Sequence, residues 1–214
     1  MLERRLEVGA VLDELAADPP LHYAAPNPAA PALPVAGTAG GRGPRIDHFH
    51  APRTVAELAA LKVAHPLARL LAGSTDVGLW VTKQFRDLGD VIDIGKVAEL
   101  KRIETQDDSP GTGDGGGATR SLWIGAGAAL EDAWAALARH APALRELWLR
   151  FASPPIRHAG TLGGNLANGS PIGDGAPALM ALGASLILRR GGAQREGPLE
   201  RFYLAYMRYV LEPG

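Results

Sequence analysis

Cysteine is absent from the 214-residue chain. Disulfides, thiolate zinc sites, cysteine nucleophiles and Cys-ligated iron–sulfur clusters within this chain are thereby excluded, though not clusters held by a partner. An excess of charge is also lacking: 22 basic against 23 acidic side chains leave a formal net charge of −1. Nothing there recruits nucleic acid or an anionic membrane surface. The longest apolar stretch, Ala176 to Leu188, is broken by Pro177 and Gly183, and falls short of the roughly 18 residues a membrane helix needs. The first nine residues, Met-Leu-Glu-Arg-Arg-Leu-Glu-Val-Gly, lack the apolar stretch of a signal peptide. The expectation is a cytoplasmic protein without a nucleic-acid or membrane partner.

Apolar residues at 46% and charged residues at 21% are ordinary for a folded soluble protein. The length allows one domain or two small lobes. Leu6 to Ala17 has the pattern of one short helix, stopped by Asp18-Pro19-Pro20. From Pro19 to Pro44 the chain is dominated by Pro, Ala and Gly, a composition that reads as a linker or surface strap. Residues 1–44 are therefore expected to be a helix and linker, with the folded region, 45–214, starting near Arg45.

From Arg45 onward, short strands and helices alternate. Ile46 to Pro52 reads as a strand. Thr54-Val-Ala-Glu57 is a capping box opening a helix that ends near His65-Pro66. Arg69 to Ala72 reads as a short buried strand, Gly78 to Phe85 as a helix, and Val91 to Ile94 and Leu100 to Glu104 as strands. Gln106 to Ala118 reads as an exposed hairpin loop leading to a strand at Ser121 to Ile124. Helices are expected at Leu130 to Arg139, Pro142 to Phe151 and Ala176 to Leu182, a strand at Ser185 to Arg189, and a polar, glycine-rich loop at Gly160 to Gly175. The mixture indicates an α+β fold in two lobes.

Three glycine clusters invite a phosphate-binding reading. Gly111 to Gly117 is flanked by acidic residues and no helix follows, so it reads as a plain loop. Gly125-Ala-Gly127-Ala-Ala-Leu130 begins like a dinucleotide fingerprint. Its third position is Leu130, and no second strand with an acidic end follows, so a tight strand-to-helix turn accounts for it. The third cluster runs Ile156-Arg-His-Ala-Gly160-Thr-Leu-Gly163-Gly164-Asn165-Leu-Ala-Asn168-Gly-Ser170-Pro-Ile-Gly-Asp174. Its glycines would let backbone approach a ligand. Thr161, Asn165, Asn168 and Ser170 offer neutral donors, and Asp174 could accept from sugar hydroxyls; a mere glycine and asparagine turn array is the alternative. The earlier turn Leu70-Leu71-Ala72-Gly73-Ser74-Thr75-Asp76-Val77 follows a strand and could present amides to a pyrophosphate.

His48, His50, His65, His140 and His158 show no metal-ligand spacing with nearby carboxylates and read as surface or satisfied core residues. No metal site and no nucleophile triad is expected. Trp134, Trp148 and Phe151 read as core aromatics.

The two motifs together, with Gly78-Leu-Trp-Val-Thr-Lys-Gln84 between them, closely resemble the FAD-binding domain of the xanthine dehydrogenase family of molybdenum hydroxylases, the bacterial small subunit in particular. The resemblance runs from about Ile46 to Gly214. It implies a two-lobed α+β domain of the PCMH/vanillyl-alcohol-oxidase type. It further implies that Leu70, Leu71, Ala72, Gly73, Ser74, Thr75, Asp76 and Val77 surround the FAD pyrophosphate. Thr161, Leu162, Gly163, Gly164 and Asn165 would form the second phosphate-side loop, and Asp174 would bind the ribose or ribitol region. Phe151 stands ten residues before Thr161, where the family has an aromatic residue against the flavin.

The implied role is to receive electrons from purine oxidation and pass them to NAD. Because the flavin carries the chemistry, no catalytic acid or base is expected. The implied partners are a molybdopterin-binding large subunit and a 2Fe-2S module, whose clusters and molybdopterin lie in a missing segment or in partner chains. The usual C-terminal lobe is likewise expected to lie outside this sequence. The alternatives are a flavin subunit of a related aldehyde or carbon monoxide dehydrogenase, and a truncated, non-catalytic assembly module.

Overall fold

Two six-residue strands, one inside the Pro-rich stretch and one just after it, build the first part of the molecule. The structure, a computed structural model, describes residues 22–27, 30, 33–34, 42–107, 120–205 and 208–209. By internal packing the chain divides into two units, Met1–His50 and Ala51–Gly214. In the first unit, strand β1 (His22–Asn27) and, after the two-residue pair β2 (Leu33–Pro34) and β3 (Arg42–Gly43), strand β4 (Arg45–His50) appear. β1 and β4 pair antiparallel, with His22 opposite His50, Tyr23 opposite Phe49 and Asn27 opposite Arg45. Asp47 closes one end, accepting from Arg45 Nε at 2.6 Å and Nη2 at 2.9 Å, and from Asn27 Nδ2 at 2.6 Å. The Arg45 hydrogen bond holds the Asp47 carboxyl below the usual carboxylate range.

The stretch read as linker thus contains a strand. Its Pro26 hid it, yet β1 is an edge strand, where a missing amide donor is tolerated. The helix expected at Leu6 to Ala17 and the Gly111–Gly117 loop lie outside the described residues.

In the second unit, helix α1 (Val55–Ala64) starts at Thr54, whose hydroxyl accepts from the Glu57 amide at 3.1 Å. The Glu57 carboxylate reaches back to the Arg53 amide at 2.8 Å, one residue earlier than an ideal capping box. Lys62, in the last turn, donates to the carbonyls of Pro66 (2.5 Å) and Ala68 (3.0 Å), and burial pulls its ammonium below the usual lysine range. This turn delivers the chain to β5 (Arg69–Leu71), which runs parallel to β6 (Val91–Asp93) with helix α2 (Val77–Thr82) in the crossover. β5 is not buried as expected: Leu70 is 50% exposed, whereas Ile92, opposite it, is fully buried.

β7 (Ile103–Asp107) and β8 (Arg120–Ile124) form an antiparallel pair. Helix α3 (Leu130–His140) buries Leu130, Ala133, Trp134 and Leu137, the i, i+3, i+4, i+7 stripe of an amphipathic helix. A 3-10 turn (Pro142–Leu144) and α4 (Arg145–Arg150) replace the single helix expected there. The expected glycine-rich loop is also largely helical: α5 (Pro154–Ala159), α6 (Leu162–Asn168) and α7 (Gly175–Ala181) follow in succession. Thr161 caps α6, and Gly169 at φ 56° ends it, so capping outweighs the poor helix propensity of two glycines.

The chain finishes with the hairpin β9 (Ser185–Arg190) and β10 (Ala193–Pro198) and the small pair β11 (Tyr203–Ala205) and β12 (Arg208–Tyr209). Trp134, fully buried, centres a core that includes Leu130, Leu137, Phe151, Leu162, Leu166, Leu179, Leu199 and Phe202. No helix among the described residues is long and apolar enough to cross a membrane.

Candidate functional site

Three backbone segments, distant in sequence, meet in the second unit. The first is the turn after β5. A Cβ on Gly73 would stand 1.9 Å from the Ala159 carbonyl oxygen and 2.7 Å from Gly160 Cα. Only a glycine lets this turn lie against the end of α5. Thr75 flanks the same contact, its Oγ1 3.5 Å from where a Gly160 Cβ would be. Ser74 takes φ 60°, a left-handed conformation that strains a non-glycine residue.

The second and third segments are laced together. The amide of Leu130 donates to the Gly160 carbonyl (2.9 Å), that of Leu162 to Ala128 (3.0 Å) and that of Gly163 to Ala126 (2.8 Å). A Cβ on Gly163 would come within 2.6 Å of the Ala126 carbonyl. Gly125 and Gly127 in turn lie against the Leu100 carbonyl, where a Cβ on Gly125 would be 2.2 Å away. The near-fingerprint of the sequence is therefore a bracket for the third cluster, serving close backbone packing.

Arg157, within that cluster, ties it to the core. Its Nε donates to Glu131 at the start of α3, and its Nη1 donates to the carbonyls of Phe151 (2.9 Å) and Ala152 (3.2 Å). The Arg157 hydrogen bond holds the Glu131 carboxyl below the usual range. Phe151 is 7% exposed and packs on Trp134 with ring centroids 5.0 Å apart. Its ring thus lies in the hydrophobic core, as the residue type alone implies.

Around this frame stand the polar groups. The Thr161 hydroxyl accepts from the Gly164 amide at 3.1 Å. Gly164 itself is exposed, and a Cβ there would meet only the Thr161 hydroxyl, at 2.8 Å. The Asn165 amide oxygen lies against Gly175, where a Cβ would stand 2.1 Å from it. Asp174 is exposed at the start of α7 and makes no side-chain cap hydrogen bond. Ser170 accepts from the Ile172 amide and shapes the turn before it. Leu70, Ser74, Asp76, Gly164 and Asp174 are exposed, and Leu162 is buried. The set offers glycine-bared backbone, neutral hydroxyl and amide groups and two exposed carboxylates, Asp76 and Asp174. Groups of these kinds suit phosphate oxygens and sugar hydroxyls.

Sequence reasoning paired the two loops but missed their contact, Gly73 against Ala159 and Gly160, and what braces the second of them: Ala126 to Ala129, and Arg157. The strand-to-helix turn before Leu130 was the available signal. His22 was missed altogether, since it falls in the stretch read as linker.

A family model described as "FAD binding domain in molybdopterin dehydrogenase" matches residues 44–214. Among curated relatives, the xanthine dehydrogenase of Drosophila subobscura is 32% identical over 181 residues, covering 77% of this chain and 13% of that protein. The xanthine dehydrogenase FAD-binding subunit of Escherichia coli O157:H7 is 30% identical over 168 residues, covering 77% of this chain and 53% of that subunit. Among solved structures, carbon monoxide dehydrogenase from Hydrogenophaga pseudoflava superposes with a TM-score of 0.65 at 28% identity, covering 77% of this chain and 54% of that one. The chain thus spans about half the length of the bacterial flavin subunit it matches.

Proposed function

Because this chain belongs to the family of FAD-binding domains in molybdopterin dehydrogenases, we propose that it serves as the FAD-binding electron-transfer component of a xanthine dehydrogenase-like oxidoreductase. The observation that carries this reading is the seating of the Gly73 turn on Ala159–Gly160. It makes two distant loops into one backbone-lined surface. The residues present fit FAD: Leu70 to Val77 and Thr161 to Asn165 present bared backbone to a pyrophosphate, and the exposed Asp174 carboxylate suits a ribose or ribitol hydroxyl. The buried Phe151 would support the wall behind the flavin from within the core.

Bound FAD supplies the exchange of electrons between one-electron and two-electron carriers. The chain's own groups bind and orient it: the Thr161 hydroxyl fixes the first turn of α6, Asn165 spaces that helix from α7, and the Arg157–Glu131 pair anchors the loop to α3. The proposal extends to a two-lobed PCMH/vanillyl-alcohol-oxidase-type architecture, to NAD as acceptor, and to a molybdopterin-binding subunit and a 2Fe-2S module as partners. A second reading, the flavin component of a carbon monoxide dehydrogenase, is favoured by the likeness to the Hydrogenophaga pseudoflava structure.

The test is the visible spectrum of the purified chain before and after incubation with FAD. Flavin bands that stay with the protein through desalting are expected. A colourless protein that ignores added FAD overturns the reading. Gly164→Trp, which crowds an exposed position, should abolish uptake while the chain stays folded by circular dichroism; undiminished uptake would contradict the loop assignment.

A further inference from the structure

The pairing of β1 with β4 gathers three histidines. His22 stands directly opposite His50, and Ala24 opposite His48. Side chains alternate along a strand, so His48 shares a face with His50, and His22 joins them from across the ladder. The three rings stack: centroids are 4.7 Å apart for His22 and His50, 5.2 Å for His22 and His48, and 6.1 Å for His48 and His50, with interplanar angles of 12° to 21°. One ring nitrogen from each lies within 4.8 Å of the others. His22 Nε2 and His48 Nδ1 are 2.9 Å apart, so these two nitrogens share one proton.

We propose that His22, His48 and His50 form a binding site for a divalent late first-row transition ion, zinc by preference, which staples β1 to β4. The donor chemistry selects the ion. Three neutral imidazoles suit zinc, copper and nickel, whereas magnesium and calcium require oxygen ligands. Asp47, on the same strand, belongs to the opposite face by alternation and is engaged by Arg45 and Asn27, leaving an all-nitrogen set completed by water. Tetrahedral zinc at roughly 2.0–2.1 Å from each nitrogen sets them about 3.4 Å apart. The observed spread therefore closes by tilting the stacked rings. His50 is buried at 7% exposure while His22 is exposed, so one ligand is fixed at the base and another stands at the mouth. An ion entering there takes the lone pairs of both facing nitrogens, the hydrogen between them passing through solvent to the other ring nitrogen of its donor, and its binding energy adds to the stability of the strand pair.

The experiment uses the full chain without an affinity tag, stripped with chelator and titrated calorimetrically with zinc chloride. One equivalent is expected to bind, to raise the melting temperature and to persist in excess magnesium. His22→Ala and His48→Gln should each weaken binding by about tenfold or more, with flavin uptake unchanged. That last readout separates this proposal from the proposed function. A cobalt titration, with tetrahedral absorption bands lost in His22→Ala, supplies a second measurement. Absent saturable zinc binding, or binding of equal strength in both variants, overturns the site and assigns any residual uptake to His65, His140 or His158.

Discussion

The Gly73 turn and the Gly160–Asn165 segment draw on the same small, polar residue types, yet they are held in different ways. The second segment is stabilised from within and behind. Thr161 caps its helix, and three amide hydrogen bonds lace it to Ala126, Ala128 and Leu130. The turn is tied at its two ends, where Leu71 accepts from the Ile94 amide and Ser74 from the Gly78 amide, both at 2.8 Å; between them Ser74 sits at φ 60°, and the Gly73 contact with the Ala159 carbonyl provides the backing. A loop can thus be shaped by its own capping or by leaning on a neighbour, and here the leaning loop depends on the braced one.

Breaking the contact between them should have the largest effect. Gly73→Val drives a side chain into backbone that cannot give way, and should cost about 3 kcal/mol of unfolding free energy together with FAD uptake. Chemical denaturation and flavin content measure the two losses. Loosening the braced partner comes next. Arg157→Leu leaves the Glu131 carboxylate and two carbonyls without their donor, at a cost of about 2 kcal/mol.

This second loss has a pH signature. In the folded chain the Glu131 carboxyl is held below its unfolded value, so the unfolded state binds more protons and stability rises with pH through that interval. The stabilisation is complete above the ordinary glutamate range, about 4.3, and disappears as pH falls through the lowered value. The stability gap between the parent chain and Arg157→Leu should therefore narrow in acid; a gap that stays constant would count against the ion pair. The smallest effect is expected from Ser74→Gly, where relief of strain and added unfolded-state entropy nearly cancel, leaving stability within about 1 kcal/mol. If the turn is the dependent part, FAD affinity should move more than stability does.

What the sequence made legible was local. Thr54 and Glu57 announce α1 because a capping box needs only four neighbouring residues, and the Leu130 to Leu137 stripe announces α3 by its period. The two ligand-type loops were legible as motifs. The helix over Leu162–Asn168 was not, because Gly163 and Gly164 argue against it locally and what licenses Gly163 there is the distant backbone at Ala126. β1 was hidden by the composition around it, and His22 with it, since only the register against β4 reveals which residues it faces. Phe151 shows the same limit from the other side: its type announces burial, and Trp134 supplies the partner that no spacing could name.

The seating of Gly73 against Ala159 and Gly160 also bears on how this protein can be recombined. Two loops separated by about half of the second unit's sequence behave as one interlocking part, like a key and its ward. A chimaera that imports the 70–77 loop from a relative while keeping the native α5 terminus inherits a mismatch unless position 73 remains glycine and the backbone at 159–160 keeps its course. Exchanged as a pair, the loops should travel intact. The natural cassette for redesigning cofactor affinity is therefore discontinuous in sequence and continuous in space.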